Sequence, residues 1–256
     1  MINKPSDKEK TLLEDRLKSD KVEHNAYQIR YYESQYKPNM QPAITAYILR
    51  HVNRMIEHAK LDTTHQILEV GAGLGRCSMP LLAMGFKLTC IDISQKMLGS
   101  ILKHSPNLPV HTAGIDVEEA GNYFHEKFDR IIGFFTLHHL KDLEACFRGM
   151  ASVAAPGAVI AFCEPVAYNP LYYLQIAFTK GMTWKGDGGI INMRAGYVLP
   201  VMRRAGLCNA RCVSYGFFPP FITNTVFGSI IEDKLERIHL FRWAHAFQVF
   251  VAQMPV

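Results

Sequence analysis

A buried strand that runs into a glycine-rich turn is the feature that most constrains this chain. Residues 67–76 read ILEVGAGLGR, an apolar strand pattern containing one acid, followed by glycines at alternate positions. Glycine adopts backbone angles that other residues avoid, and it lets the main chain approach a ligand with no Cβ in the way. A strand, a glycine turn and a helix start in this order are typical of a nucleotide-type pocket in an α/β sheet.

The spacing of the glycines distinguishes a dinucleotide site from other nucleotide-type sites. Dinucleotide-binding folds favour G-x-G-x-x-G, but the position of their last glycine is occupied here by Arg76. The pattern in this chain is G-x-G-x-G over Gly71, Gly73 and Gly75, with Glu69 two residues ahead of the first glycine. This spacing disfavours NAD-dependent redox chemistry.

Predicted strands alternate with predicted helices along most of the chain, which indicates βαβ units and a parallel sheet. Apolar runs bounded by turn residues predict seven strands at 66–70, 86–91, 109–113, 128–134, 158–163, 210–215 and 245–254. A helix is predicted over 43–59, with Pro42 in its first turn, and another from about 74 to 84. Residues 1–22 are expected to form a solvated, partly helical or loose arm.

Composition excludes several classes of protein. Apolar residues make up 48% and charged residues 20% of the 256, which indicates an ordinary globular chain. The net charge of +5 is scattered, whereas a nucleic-acid interface requires a basic stripe with interleaved aromatic residues. No apolar run reaches the ~18 residues needed for a membrane span, and no signal-like apolar core is present near residue 1.

Six cysteines show neither a C-x-x-C pair nor zinc-type spacing, so no metal is predicted. Reduced, buried thiols fit a cytoplasmic protein, and cytoplasmic is the expected location.

Four segments in one order carry a resemblance to a known family. They are residues 69–75, Asp92 after the second strand, Asp116 after the third, and the run FFTLHH over 134–139 after the fourth. This order resembles the class I S-adenosylmethionine (SAM)-dependent methyltransferases that act on small molecules. The resemblance implies a Rossmann-like, seven-stranded, mostly parallel sheet with helices on both faces, an antiparallel last strand and lid insertions. It divides the chain into an arm, 1–40, and a SAM-binding domain, 41–256.

The resemblance also implies which residues bind SAM. Asp92 is expected to hold the ribose hydroxyls and Asp116 the adenine amino group, although they fit equally a helix cap and a turn residue. Tyr31 is expected to close over the methionine end of SAM, or alternatively to pack the arm on the sheet. The full set of expected cofactor contacts is Glu69, Gly71, Ala72, Gly73, Gly75, Asp92, Ile93, Met97, Asp116, Phe134 and Tyr31.

Three residues after the fourth and fifth strands are the candidates for chemistry: His138, His139 and Glu164. Ligands of open α/β sheets bind at the carboxyl ends of the strands, where these residues fall. Histidine suits the role of general base for a hydroxyl acceptor because its ordinary pKa is near 6.5. The alternatives are that one histidine packs or caps the next helix, and that Glu164 holds the loop or binds an amine.

Two aromatic-rich insertions, at about 165–192 and 216–243, are predicted to form lids. Apolar, aromatic walls suit an apolar acceptor, and the glycines of 186–189 are expected to act as a hinge. The alternative is a secondary core under the loops. Neither insertion shows a lysine-rich amphipathic face, so no membrane-surface helix is predicted.

The predicted function is methyl transfer from SAM to a small, fairly hydrophobic metabolite, as in natural product biosynthesis. Oxygen is favoured as the acceptor atom, then nitrogen, then carbon. The alternatives are an enzyme of the same fold that uses SAM without transferring its methyl group, and a SAM-binding regulator without turnover. The expected partner is an apolar or aromatic small molecule, with no nucleic acid, and the chain is a monomer or a homodimer.

Overall fold

A computed structural model describes residues 7–34, 40–178 and 182–256. The chain divides into two compact units, residues 1–36 and residues 37–256. In the first unit, helix α1 spans Asp7–Glu33, so the described part of the predicted arm is helical and not loose. Within α1 the ring of Tyr31 stacks on Tyr27 at 5.9 Å between centroids.

The second unit is built on a seven-stranded sheet. Its strands are β1 Ile67–Val70, β2 Leu88–Asp92, β3 Val110–Gly114, β4 Phe128–Phe134, β5 Ala154–Pro165, β6 Cys208–Tyr215 and β7 Phe247–Gln253. They lie in the order β3-β2-β1-β4-β5-β7-β6. The first five strands pair in parallel, and β7 runs antiparallel to both β5 and β6. The predicted mostly parallel sheet with an antiparallel last strand is confirmed.

Helices connect these strands. They are α2 Ala46–Ala59, α3 Ser78–Ala83, α4 Gln95–His104, α5 Ala120–Tyr123, α6 Leu143–Val153, α7 Pro170–Phe178, α8 Trp184–Asp187, α9 Ala195–Arg204, α10 Pro220–Thr223 and α11 Val226–Glu236. Short 3-10 helices span Val117–Glu119, Leu137–His139, Gly188–Asn192 and His239–Ala244. None of the described helices combines the length and the apolar character that crossing a bilayer requires.

Two predicted helix starts were wrong, each for a local reason. Helix α2 begins at Ala46 and not at residue 43, because the hydroxyl of Thr45 accepts a hydrogen bond from the Ile48 amide at 3.3 Å and so caps the helix there. Helix α3 begins at Ser78 and not near residue 74. The glycine turn is longer than predicted because Gly75 still has a left-handed backbone, with φ of +88°.

Two apolar cores pack on opposite faces of the sheet. One face is covered by α2, α3 and α4, and the other by α6 and α9. Neighbouring residues of β5 point to opposite faces, so that Phe162 enters one core and Cys163 the other.

The functional side chains are gathered at one edge of the sheet. Strands β1, β2, β4 and β5 are parallel, so their carboxyl ends meet there. The pairing of Pro165 with Phe247, and of Phe247 with Tyr215, brings the end of β6 and the start of β7 to the same edge. Residues 216–246, which join β6 to β7, therefore leave and re-enter the sheet at the edge where ligands of such folds bind.

Candidate active site

The glycine turn lies between β2 and the segment that follows β4. The amides of Gly71 and Ala72 donate to the carbonyl of Ile91 at 2.8 and 3.1 Å. A Cβ on Gly71, where φ is +71°, would lie 2.3 Å from the Cγ2 atom of Thr136. Only glycine fits this position, because both the backbone angle and the neighbouring side chain exclude a larger residue.

Asp92 ties the turn to the end of β2. Its Oδ2 atom accepts from the Gly73 amide at 3.0 Å, and its Oδ1 atom accepts from the Ser94 amide at 2.9 Å. The methyl group of Met97 lies beside Gly73, and Ile93 is half-buried next to Asp92. Each carboxylate oxygen can accept two hydrogen bonds, so Asp92 can shape the turn and still accept from a ribose. The turn role is observed, and the ribose contact stays a prediction.

Asp116 has the role of a capping residue. It precedes the 3-10 helix Val117–Glu119, and its Oδ1 atom accepts from the Glu118 amide at 3.0 Å. This is the turn role that the sequence left open, and the adenine contact stays a prediction.

Glu69 is turned away from solvent and toward the neighbouring strand. Its carboxylate is buried and accepts from the thiol of Cys90 at 3.7 Å. Burial raises the pKa of Glu69 to about 7. The carboxylate of Glu69 thus lies against Cys90 of β2. Its contact with SAM stays a prediction.

Glu164 organises the segment after β4. It is fully buried, and its Oε1 atom accepts from the amides of Thr136 and Leu137 at 2.7 and 2.6 Å. Its Oε2 atom lies 2.6 Å from Nδ1 of His138, which is also buried. Because a carboxylate accepts, we assign the Nδ1 proton to His138, and its Nε2 atom then carries a lone pair. Phe134, the last residue of β4, is buried directly before this segment.

His139 lies beside His138 and forms a cluster with it and with Asp187 of the first insertion. The two imidazole rings lie 3.9 Å apart, and Nδ1 of His139 donates to the carbonyl of Gly186 at 3.0 Å. The buried Asp187 accepts from the Thr183 amide at 3.0 Å. His138, His139 and Asp187 offer ligand atoms within 4.8 Å of one another, a set that can hold a metal ion. Residue spacing in the sequence gave no signal of this group.

The glycines of 186–189 take part in packing and are not an open loop. Gly186 belongs to α8 and Gly189 to the following 3-10 helix. A Cβ on Gly189 would lie 1.9 Å from the carbonyl oxygen of His138. These glycines therefore let the first insertion approach the histidine segment closely, a role that the hinge prediction missed.

Sequence reasoning also missed a polar cluster on the other face of the sheet. The fully buried His51 places Nδ1 2.6 Å from the hydroxyl of Tyr215, and that hydroxyl lies 2.8 Å from Sγ of Cys163. The Nε2 atom of His51 is buried without a hydrogen-bond partner in the described part of the chain. Burial lowers the pKa of His51 well below its ordinary value, so the ring is neutral. The three residues come from distant segments and each reads as core, which is why no sequence signal marked them.

Arg76 lies between this cluster and the glycine turn. Its guanidinium carbon is 5.5 Å from the ring centre of Tyr47 and 6.0 Å from that of Phe135. Phe135 has a left-handed backbone, with φ of 55°, directly after β4. Arg76 makes no ion pair with an acid among residues 7–34, 40–178 and 182–256. The predicted contact of Tyr31, in the first unit, with the methionine end of SAM stays a prediction.

Comparisons with known proteins agree with this geometry. Residues 68–160 match the family model of a methyltransferase domain. Over 99 residues the chain is 31% identical to the ubiquinone biosynthesis O-methyltransferase of Pseudoalteromonas translucida, covering 38% of this chain and 42% of that protein. The chain thus spans less than half the length of the curated relatives it matches.

Solved structures share the fold. Phosphoethanolamine N-methyltransferase 2 of Haemonchus contortus, in complex with SAM, superposes with a TM-score of 0.57 at 14% identity, covering 81% of this chain and 53% of that one. The [4+2]-cyclase SpnF superposes with a TM-score of 0.56 at 18% identity, covering 81% and 80%.

The fold and the matched domain are those of the class I SAM-dependent methyltransferases. The resemblance predicted from the glycine turn is confirmed. SAM, the cofactor of that class, is confirmed with it.

Proposed function

We propose that this chain transfers the methyl group of SAM to a hydroxyl of a small, fairly hydrophobic metabolite, with His138 as general base. The observation that carries the proposal is the buried pair of Glu164 and His138, joined at 2.6 Å at the carboxyl edge of the sheet. The O-methyltransferase relative supports oxygen as the acceptor atom.

The residues around the glycine turn fit SAM. A Cβ at Gly71 would collide with Thr136, so glycine lets the main chain of the turn pack closely against the segment after β4. Asp92, whose carboxylate lies beside the turn at the end of β2, offers the oxygen acceptors that ribose hydroxyls require. When bound, SAM supplies a methyl group already activated by its sulfonium.

His138 and Glu164 handle the proton of the acceptor. The Nε2 lone pair of His138 takes the proton from the acceptor hydroxyl, which leaves the oxygen as the nucleophile. Glu164 holds the imidazole in this tautomer and stabilises the imidazolium that forms. Because Glu164 is itself fixed by two backbone amides, the base is positioned before the acceptor arrives.

The surroundings of His138 favour an apolar or aromatic acceptor. The ring of Tyr172 lies 6.3 Å from that of His138, and the first insertion contributes the buried side chains of Ile190 and Met193 to the core on this face. Walls of this kind exclude water and orient an acceptor through a few polar groups. The free thiols of the six cysteines support a reducing, cytoplasmic setting.

The test is S-adenosylhomocysteine production with a panel of phenols, hydroxyquinones and amines. We expect His138→Gln to lower kcat by about 10²–10⁴-fold on a hydroxyl acceptor, with the affinity for SAM unchanged. The matched control is His111→Gln in β3, whose side chain is exposed, and it should retain full activity. A His138→Gln enzyme with normal kcat would refute the role of the base.

The second candidate is an enzyme of this fold that transforms its substrate without methylating it. The likeness to a [4+2]-cyclase favours it, because that protein has the same fold and is a cyclase. Methyl transfer yields one S-adenosylhomocysteine per product molecule, and a cyclisation yields none.

A further inference from the structure

The second insertion carries a large apolar surface that its own fold does not cover. Helix α10 packs on α11, and α11 packs on the 3-10 helix His239–Ala244. The exposed large apolar side chains of these elements are Phe221, Val226, Phe227, Ile230, Ile238, Leu240 and Trp243. The side chain of Trp243 is 83% exposed to solvent. Soluble monomers rarely leave such a set together in water, so a surface of this kind points to a binding partner.

The three acids of α11 are all paired with arginines of α2, and the side chains of two of them, Glu232 and Glu236, are buried. Glu232 is only 1% exposed and lies 3.4 Å from the guanidinium of Arg50 in α2. Glu236 pairs with both Arg50 and Arg54, and Asp233 pairs with Arg50 at 2.7 Å. The insertion is thus anchored to α2 through its negative charges, and the one exposed acid of the three, Asp233, is neutralised by Arg50.

The outer side of α11 combines apolar and basic residues. Val226, Phe227, Ile230, Lys234 and Arg237 follow one another at intervals that place them within an arc of about 100° on a helix of 3.6 residues per turn. All five are exposed. Arg242, next to Trp243, is exposed as well. The sequence did not reveal this face because its basic residues are few and because the acids of α11, which the structure shows paired with arginines of α2, interrupt the pattern.

We infer that this surface, the interfacial face, binds the headgroup region of an anionic lipid bilayer. It consists of the seven apolar side chains named above with Lys234, Arg237 and Arg242. Aromatic and aliphatic side chains enter the boundary between headgroups and acyl chains, and each basic residue gains from anionic lipid. A second copy of the chain fits less well, because a two-fold contact through this face would bring both copies' sets of three cations into one interface.

The interfacial face lies at the same edge of the sheet as the candidate site, and its role as a route for the acceptor rests on the proposed function. The insertion leaves the sheet after Tyr215 and returns at Phe247, at the edge where Glu164 and His138 lie. A bilayer docked on this face borders the entrance of the candidate site, so an apolar acceptor can pass from membrane to site without crossing water. The docking itself does not depend on methyl transfer.

Vesicle binding tests the docking. A Trp184→Phe background leaves Trp243 as the single tryptophan, and its fluorescence is followed on vesicles of phosphatidylcholine alone or with phosphatidylglycerol at 30 mol% (a test composition). We expect a blue shift and at least about tenfold tighter binding to the anionic vesicles at low salt, with the preference reduced at high salt.

Variants separate the two parts of the face. Phe227→Ser with Leu240→Ser should abolish vesicle binding, and Lys234→Glu should weaken anionic binding at least about fivefold. The matched controls are Tyr123→Ser and Lys103→Glu, exposed residues on α5 and α4, which should bind as the parent does. Each variant must keep a SAM-induced rise in melting temperature, which establishes that it is folded.

The inference is overturned if the parent binds neither vesicle, or if the variants of the face bind as tightly as the controls. It is also overturned if the parent forms a dimer that Phe227→Ser with Leu240→Ser dissolves while vesicles remain unbound, since the face would then hold a second copy. The assay contains no acceptor, so a failure of methyl transfer leaves its result intact.

Discussion

At the scale of single residues, the site depends on a few carboxylates that do more than one task. Asp92 and Glu164 each bind two backbone amides, and so they shape the turn and the histidine segment from which the ligand contacts are made. Glu69 differs, because it is buried with a thiol partner and carries a raised pKa. Glu69 and Asp92 give separate predictions.

Replacing Glu69 by glutamine should change how stability depends on pH. The folded-state pKa is raised from 4.5 to about 7, so the folded state binds the proton more tightly than the unfolded chain does. The contribution of Glu69 to the free energy of unfolding is therefore fully present below pH 4.5. It is lost as the pH rises from 4.5 to about 7, and the total loss is about 3 kcal/mol.

The measurement is urea unfolding of parent and Glu69→Gln at pH 4.5, 6 and 8. Glutamine does not ionise, so we expect its stability relative to the parent to increase by that amount across the range. Parallel profiles for the two proteins would contradict the raised pKa.

Asp92→Ala should weaken SAM binding by about 1–3 kcal/mol, the usual cost of leaving buried polar partners unpaired. The Gly73 amide loses its acceptor in this variant, as do the ribose hydroxyls. Asp92→Asn keeps one acceptor oxygen and should fall between Asp92→Ala and the parent in calorimetric titration with SAM. Parent-like affinity in Asp92→Ala would show that the ribose lies elsewhere.

Residue type and strand position were enough to predict which side chains reach the site edge. Asp92 and Glu164 lie at the ends of β2 and β5, His138 follows β4, and the carboxyl ends of parallel strands meet. The pairing of Glu164 with His138 was not predictable, because it depends on the rotamer of a side chain 26 residues away. The roles of His51 and Asp187 were missed for a related reason. Their partners are distant in the sequence, so a single histidine or aspartate gives no sign of the cluster that it joins in the fold.

At the scale of elements, the contact between the first insertion and the histidine segment is the tightest fit at the site. Gly189→Ala would place a Cβ 1.9 Å from the carbonyl oxygen of His138, so backbone must shift. We expect a loss of about 1–3 kcal/mol in the free energy of unfolding and reduced activity, because the His138 ring is displaced from Glu164.

Gly196→Ala is the matched control for that substitution. Gly196 lies in α9 with nothing within 4 Å of an added Cβ, and alanine favours the helix by up to ~1 kcal/mol. It should therefore be neutral or stabilising, with full activity, in the same unfolding and activity assays. A Gly189→Ala protein that behaves like Gly196→Ala would contradict the packing described here.

Strands were easier to predict than helix starts or insertions. The runs of the central strands β1 and β5 are buried on both faces, and the strand runs are bounded by turn residues, so their centres were evident in the sequence. The starts of α2 and α3 depend on which hydroxyl caps and on how long left-handed backbone continues, and neither is encoded in periodicity. The glycines of 186–189 looked like a hinge because a close approach and a flexible joint require the same residue.

At the scale of the whole molecule, the fold gathers two different surfaces at one edge of the sheet. The carboxyl ends of β1, β2, β4 and β5 form the candidate site, and the segment from β6 to β7 carries the interfacial face beside it. The charge of +5 is too small and too scattered to reveal such a surface by itself. It becomes visible only when the ion pairs of α11 with α2 show which charges remain outside.

The central claim is that the glycine turn of this chain binds SAM, and thermal unfolding with ligands tests it most directly. A ligand at about 100 times its Kd adds about 2.7 kcal/mol, which corresponds to roughly 5–10 °C for a chain of this size. We predict that SAM and S-adenosylhomocysteine raise the Tm by this amount and that NADH does not. A rise with NADH, or no rise with either sulfur compound, would contradict the account.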